Sequence, residues 1–298
     1  MNKQAFLADP DVKNFLAWLA RELPRLKVRL DIKRSRFVPS GLQVEVTGLE
    51  SVLAHYTWKS HGMASGDWVE ASAHLAALAH ALCDAVQRDS DPDALEACRE
   101  ILRWGGNRGW HRGAYPFLSA RAAAGVLCQY LKETSATFAV ETADADALVP
   151  PIETLNSMLA KVHALYAEDG LPIYDARVAA AIASLVEMWR VATGKSGDPL
   201  PAPLTFPAST ASRTVRGLFP HANAPGVMAY GAPETTGQWA SAKVRLGWVM
   251  ESILGRLPEL FAECCPAPSL ADRMHAIEAA LFMVGYDVDA SRGPVEDV

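Results

Sequence analysis

The segment LPIYDARVAAAIASLVEMWRVATGK, residues 171–195, places an acidic residue where a catalytic carboxylate could act. Asp175 comes shortly after Pro172 and directly before apolar residues that recur at three- and four-residue spacing. This pattern predicts a helix that begins near Ala176, with Asp175 at or beside its N-cap, and that ends at Gly194.

A carboxylate at a helix N-terminus has two interpretations. It can simply cap the helix, which is the common structural role of aspartate at this position. It can also stabilise a sugar with oxocarbenium character, or align the water that attacks it, when a base is removed from a nucleotide. Arg177 and the free N–H groups of the helix would add sites for a backbone phosphate.

Helices account for most of the predicted structure. Apolar residues recur at helical spacing at 11–22, 69–88, 92–103, 119–132, 152–167, 176–193, 239–263 and 270–284. A hairpin is predicted between about 27 and 46, where KVRLDIKRSRFV and LQVEV flank a Pro-Ser-Gly turn. We expect a mostly α fold with a small β-hairpin, divided into an N-terminal helix and hairpin subdomain, 1–66, and a helical domain, 67–298.

A proline-rich segment, 194–237, lies inside the second domain. A connection of this length usually serves as a linker or a functional loop. It carries residues of types that suit a nucleic-acid surface: Arg213, Arg216, His221 and Tyr230. The alternative is that the segment packs across the helices and has no binding role.

Composition narrows the class of protein. Of the 298 residues, 50% are hydrophobic, which is enough for a sizeable core. No apolar stretch approaches the ~20 residues that a membrane helix needs, so we expect a soluble, cytoplasmic protein, and we expect a monomer. The five cysteines include no CxxC pair, and only His80 and Cys83 have a ligand-like spacing, so neither a metal nor another cofactor is predicted.

Basic residues are concentrated in two runs, although the net charge is −6. The first run contains Arg21, Arg25, Lys27, Arg29, Lys33, Arg34 and Arg36, and the second contains Arg99, Arg103, Arg108, Arg112 and Arg121. Either run could neutralise several phosphates, and either could be a solvated face.

Two aromatic segments are candidates for a base pocket. WGGNRGW, residues 104–110, contains Trp104, Asn107 and Trp110 in a glycine-rich turn that could let a backbone approach a ligand, or that could only end a helix. The loop AHYTWKSHGMASGDW contributes Trp58, which could wall the pocket or plug the space between hairpin and helices. We also assign Tyr174, beside Asp175, to this pocket.

Four segments together resemble bacterial proteins with the 8-oxoguanine DNA glycosylase fold. They are ILRWGGNRGW, LNSMLAKVHALYAEDG, LPIYDARVAAAI and HAIEAALFMVGYDV, and they cover roughly residues 95–190 and the C-terminal helix. The resemblance implies a helical DNA glycosylase with Asp175 as the catalytic carboxylate. It further implies double-stranded DNA with a damaged or modified base as the partner. From the charge pattern we expect the DNA contacts to be made by Arg177, Arg108, Arg112, Arg213 and Arg216. Because bacterial relatives include proteins linked to phage defence, a modified phage base is an alternative to a repair substrate.

The sequence departs from this family at two points. The glycine-rich hairpin that usually precedes the aspartate is replaced by LVPPIETLN. Asn156 stands where bifunctional members carry a nucleophilic lysine. The nearest lysine, Lys161, lies in an amphipathic pattern; we interpret it first as a surface residue and keep it as a second candidate catalytic residue, a Schiff-base nucleophile. We therefore expect a monofunctional enzyme in which water attacks the sugar. A binding module of the same fold and a helical protein-interaction module stay open as alternatives.

Overall fold

The computed structural model describes residues 1–107, 109–207 and 233–288, and the elements below belong to these ranges. Two strands, β1 (Lys27–Ile32) and β2 (Leu42–Thr47), form one antiparallel hairpin. The helices are α1 (Lys3–Ala8), α2 (Pro10–Glu22), α3 (Leu49–Ala54), α4 (Trp68–Gln87), α5 (Asp91–Trp104), α6 (Ala114–Ala123), α7 (Leu127–Phe138), α8 (Ser157–Tyr166), α9 (Ala176–Ala192), α10 (Pro233–Arg256) and α11 (Leu270–Val284). The predicted fold, mostly α with a small β-hairpin, is confirmed.

The hairpin has the register that its sequence pattern predicts. Lys27 pairs with Thr47 at one end and Ile32 pairs with Leu42 at the other. Alternate residues of β1, Val28, Leu30 and Ile32, are buried, because successive side chains of a strand point to opposite faces. This buried face joins the same core as the helices, and β1 contacts α11.

Helix boundaries differ from the prediction in several places: α8 begins at Ser157 rather than near 152, α10 begins at Pro233 rather than near 239, and two further differences follow from particular residues. The segment 119–132 is not one helix, because α6 ends before Gly125, which has a φ of +72° that glycine adopts readily, and α7 begins afterwards. Helix α10 ends at Arg256 rather than near 263, since Pro258 disfavours helical geometry in the residue before it. The short helices α1 and α3 were not predicted, because one or two turns leave little periodicity.

Helices α8 and α9 lie at the centre of the molecule. Helix α8 is packed by α4, α5 and α7, and all of its residues from Leu159 to Leu165 are buried. Helix α9 packs against α2 and α11. No helix in the described ranges is both long and apolar enough to cross a lipid bilayer. The fold therefore brings the N-terminus of α9 next to one side of α8, in the interior.

Candidate active site

Asp175 is the N-cap of α9, as predicted. Its Oδ1 accepts hydrogen bonds from the backbone N–H groups of Arg177 and Val178, at 2.9 and 3.2 Å. The backbone of Asp175 is extended, which is usual for an N-cap. One carboxylate oxygen is thus used by the helix, and Oδ2 faces a different partner.

That partner is Lys161 on α8. The Lys161 Nζ lies 3.3 Å from Oδ2 of Asp175 and also donates to the carbonyl oxygen of Ser157, at 3.2 Å. The interpretation of Lys161 as a surface residue is wrong, since its side chain is only 5% exposed. The apolar pattern suggested an amphipathic helix, whereas α8 is covered on several sides by other helices.

Asp175 is held in its ionised form. Burial would raise the pKa of its carboxyl group, but the charges of Lys161 and Arg177 and the two backbone N–H groups outweigh burial and lower this pKa below its usual value. Asp175 is therefore an anion at neutral pH, next to an amine that could act as a nucleophile or a proton donor.

The Lys161–Asp175 pair lines a cavity of about 580 Å³, which is within the range of small-molecule sites. Aromatic rings form much of the wall: Tyr56, Trp58, Trp68, Trp104 and Phe282. Trp104 has a buried indole N–H with no acceptor among the described residues. Polar groups further along the cavity are His80, Glu168, Asp272, His275 and Glu278. The cavity therefore combines flat apolar walls with a charged pair.

Arg177 places a second cation beside Asp175. Its guanidinium lies over the rings of Tyr286, Phe282 and Trp58, at 3.7, 4.5 and 5.0 Å from their centroids. The side chain is half-buried and lines the cavity. Stacking on three rings fixes the cation at the cavity wall. Whether it contacts DNA stays a prediction.

A second buried lysine supports the site and was missed in the sequence. Lys243 on α10 is fully buried, and its Nζ donates to two backbone carbonyl groups. Burial lowers the pKa of Lys243 to about 7; Glu278 and Asp169 oppose this shift, and Lys161 adds to it. The sequence did contain a sign that Lys243 is buried: it follows Trp239 by four residues, which places both side chains on the apolar face of α10.

The candidate base-pocket residues are divided among three places. Trp58 and Trp104 line the cavity. Asn107 and Trp110 instead line a separate open cleft, so their assignment to the same pocket is corrected. The turn after Trp104 carries the chain to the far side of the cavity wall, which spacing alone could not indicate.

The assignment of Tyr174 to the base pocket is also corrected. Tyr174 is fully buried in the core, where its ring packs edge-on against Trp239 with centroids 5.1 Å apart and its hydroxyl donates to the carbonyl oxygen of Pro207 at 2.8 Å. Because the chain is extended before α9, neighbouring side chains point in opposite directions. Asp175 faces the cavity, so Tyr174 faces away from it.

Of the remaining predicted DNA contacts, Arg112 is exposed on the turn before α6. Arg108, Arg213 and Arg216 lie outside the described residues, as does the part of the proline-rich segment from 208 to 232. No group of three or more His, Cys, Asp or Glu side chains within the described ranges is arranged to hold a metal ion.

Comparisons of the chain with protein-family models, with curated proteins and with solved structures found no match.

Proposed function

We propose that this protein is a DNA glycosylase, which draws a base into the cavity and cuts its N-glycosidic bond at the Lys161–Asp175 pair. The observation that carries the proposal is this pair: an amine and a carboxylate, both buried and 3.3 Å apart, in the wall of a cavity lined by aromatic rings. An extruded base needs such walls for stacking, and its sugar needs a nucleophile and an anion nearby.

Asp175 stabilises the reacting sugar. As the bond between C1′ and the base breaks, positive charge builds up on C1′ and the ring oxygen. An anion fixed by two backbone N–H groups stabilises that charge without having to reorganise. This role needs the ionised carboxylate, which the lowered pKa of Asp175 supplies at neutral pH.

Lys161 is the proposed nucleophile, in place of the water that the sequence suggested. Nζ, paired with Asp175 as a cation, gives a proton to the departing base and then forms a bond to C1′ while the C1′–N bond breaks and its bonding pair leaves with the base. Nζ then loses a proton, and its lone pair forms the C1′=N bond of a Schiff base as the C1′–O4′ bond breaks; the bonding pair leaves on O4′, which takes up the proton. Its position supports this role, because a sugar placed beside Asp175 as proposed would also lie within reach of Nζ, 3.3 Å from Oδ2.

Base release is the test. Purified protein would be incubated with DNA containing oxidised guanine, alkylated purines or phage-derived modified cytosines, and the released base identified by mass spectrometry. We expect alkali-labile sites and one released base class with the wild type, and none with Asp175→Asn. Undiminished release by Asp175→Asn would contradict the proposal. Tight DNA binding by both proteins without any release would instead favour the non-catalytic binding module.

A further inference from the structure

A basic cleft of about 600 Å³ lies behind the aromatic wall of the cavity. Three loops form it: the tip of the hairpin, the segment after α3, and the turn after α5. Its lining includes Arg36, Lys59, His61 and Arg103, together with the rings of Phe37 and Trp110. Two members of the separate basic runs, Arg36 and Arg103, thus meet at one place, which their positions in the sequence did not reveal.

The cleft and the cavity share a thin wall. Phe37, which lines the cleft, stacks on Trp58, which lines the cavity, with ring centroids 3.8 Å apart. The backbone of Gly105 passes against the Lys161 side chain, and that of Gly106 passes against Phe37 and Arg36. Since consecutive Cα atoms are 3.8 Å apart, the two sites lie within one residue of each other across this turn.

Charge in the cleft is largely uncompensated. No Asp or Glu of the described ranges lines it, and neither Arg36 nor Lys59 has an ion pair with a described residue. Arg103 does pair with Glu100, on the same helix. The basic residues at the other end of β1 differ, because Arg21 and Arg25 both bind Glu22. Exposed cations without acidic partners attract phosphate groups.

We propose that this cleft binds the phosphate backbone of DNA beside the extruded nucleotide, with Arg36 and Lys59 contacting phosphates. The proposal rests on the proposed function, since it places the base of that nucleotide in the adjoining cavity. The guanidinium of Arg36 is already oriented by its bond to the carbonyl oxygen of Gly106, at 3.3 Å, and by the Phe37 ring, 4.3 Å away. A preformed cation of this kind loses little freedom when it binds a phosphate.

The test is salt-dependent binding of a short fluorescein-labelled DNA duplex, measured by anisotropy between about 50 and 200 mM KCl. All proteins carry Asp175→Asn, so that binding is read without base release. The cleft variant is Arg36→Ala/Lys59→Ala, and the control is Arg21→Ala/Arg25→Ala, which removes the same charge beyond β1, about 20 Å away.

We expect the cleft variant to bind about tenfold more weakly, with a slope of log affinity against log salt reduced by about 2, because each phosphate contact contributes roughly 0.9. The control should stay within about twofold of the parent. Equal losses of affinity in both variants, or no loss in the cleft variant, would overturn the cleft proposal. The proposed glycosylase function would not be affected by that result, because base release by the wild type is measured separately. Binding of double-stranded RNA in preference to DNA would also overturn it. If the cleft variant alone loses affinity but no base is ever released, only the proposed glycosylase function fails.

Discussion

Lys243 Nζ ties together the two segments that carry the candidate catalytic residues. It donates to the carbonyl oxygen of Ala160, at 3.2 Å, and to that of Pro172. Ala160 directly precedes Lys161, and Pro172 comes three residues before Asp175. A buried amine on a third helix therefore helps to set the distance between Lys161 and Asp175.

The first prediction concerns the pH dependence that Lys243 imparts. In the folded protein burial lowers its pKa to about 7, whereas the unfolded chain has the ordinary value near 10.5. Between these values the unfolded state binds one more proton at Lys243, so the contribution of Lys243 to the unfolding free energy increases as pH rises. Urea unfolding at pH ~8 to ~10 should show the wild type gaining about 1.4 kcal/mol per pH unit over Lys243→Met. A difference in unfolding free energy between the two proteins that does not change with pH would show that Lys243 is charged in the folded state.

The second prediction separates catalysis from stability at Asp175. Asp175→Asn keeps an N-cap acceptor but leaves Lys161 buried without its anion, so unfolding free energy should fall by about 3 kcal/mol. Adding Lys161→Met should restore part of that loss, because the two residues are coupled. Base release should be absent in both variants. The single variant Lys161→Met completes the comparison. If the losses in unfolding free energy of the two single variants simply add in the double variant, the residues are not paired in solution.

The third prediction uses Gly105, whose role is to give Lys161 room. A Cβ atom at this position would lie 2.6 Å from Cδ of Lys161, so Gly105→Ala displaces the lysine side chain. Because misplacement of about 1 Å can cost a hundredfold in rate, we expect single-turnover base release to slow at least tenfold. Gly197→Ala, where nothing lies within 4 Å, is the matched control and should be unaffected. Equal rates in the two variants would show that the position of Lys161 does not limit the reaction.

The fourth prediction concerns acid stability at His163. Burial, with a smaller effect of Lys243, lowers the pKa of His163 to about 3, and its Nε2 lies 3.0 Å from the Tyr130 hydroxyl. The unfolded chain takes up a proton near pH 6.5, so stability should fall by about 1.4 kcal/mol per unit as pH drops from about 6 to 4. The variant Tyr130→Phe/His163→Phe should lack this part of the decline. An identical pH profile in the variant would assign the decline to other groups.

The sequence was enough to predict the hairpin, most of the helices and one of the two residues of the charged pair. Asp175 could be placed because Pro172, an acidic residue and an apolar repeat together mark a helix start. Lys161 could not, because periodicity identifies an apolar face but does not show how many other helices cover the rest of α8. Arg36 and Lys59 were equally out of reach, since their proximity to Gly106 arises from contacts between distant loops.

Borohydride capture tests the central claim most directly, namely that Lys161 and Asp175 act together on the sugar carbon of one nucleotide. Wild-type protein, Lys161→Ala and Lys132→Ala would be incubated with the DNA that releases a base, in the presence of borohydride, and adducts mapped by peptide mass spectrometry. Lys132 is a surface lysine paired with Asp89, so its loss is the control. We predict a covalent protein–DNA adduct at Lys161 with the wild type and Lys132→Ala, and no adduct with Lys161→Ala. Base release without any adduct, or an adduct that persists in Lys161→Ala, would contradict the account.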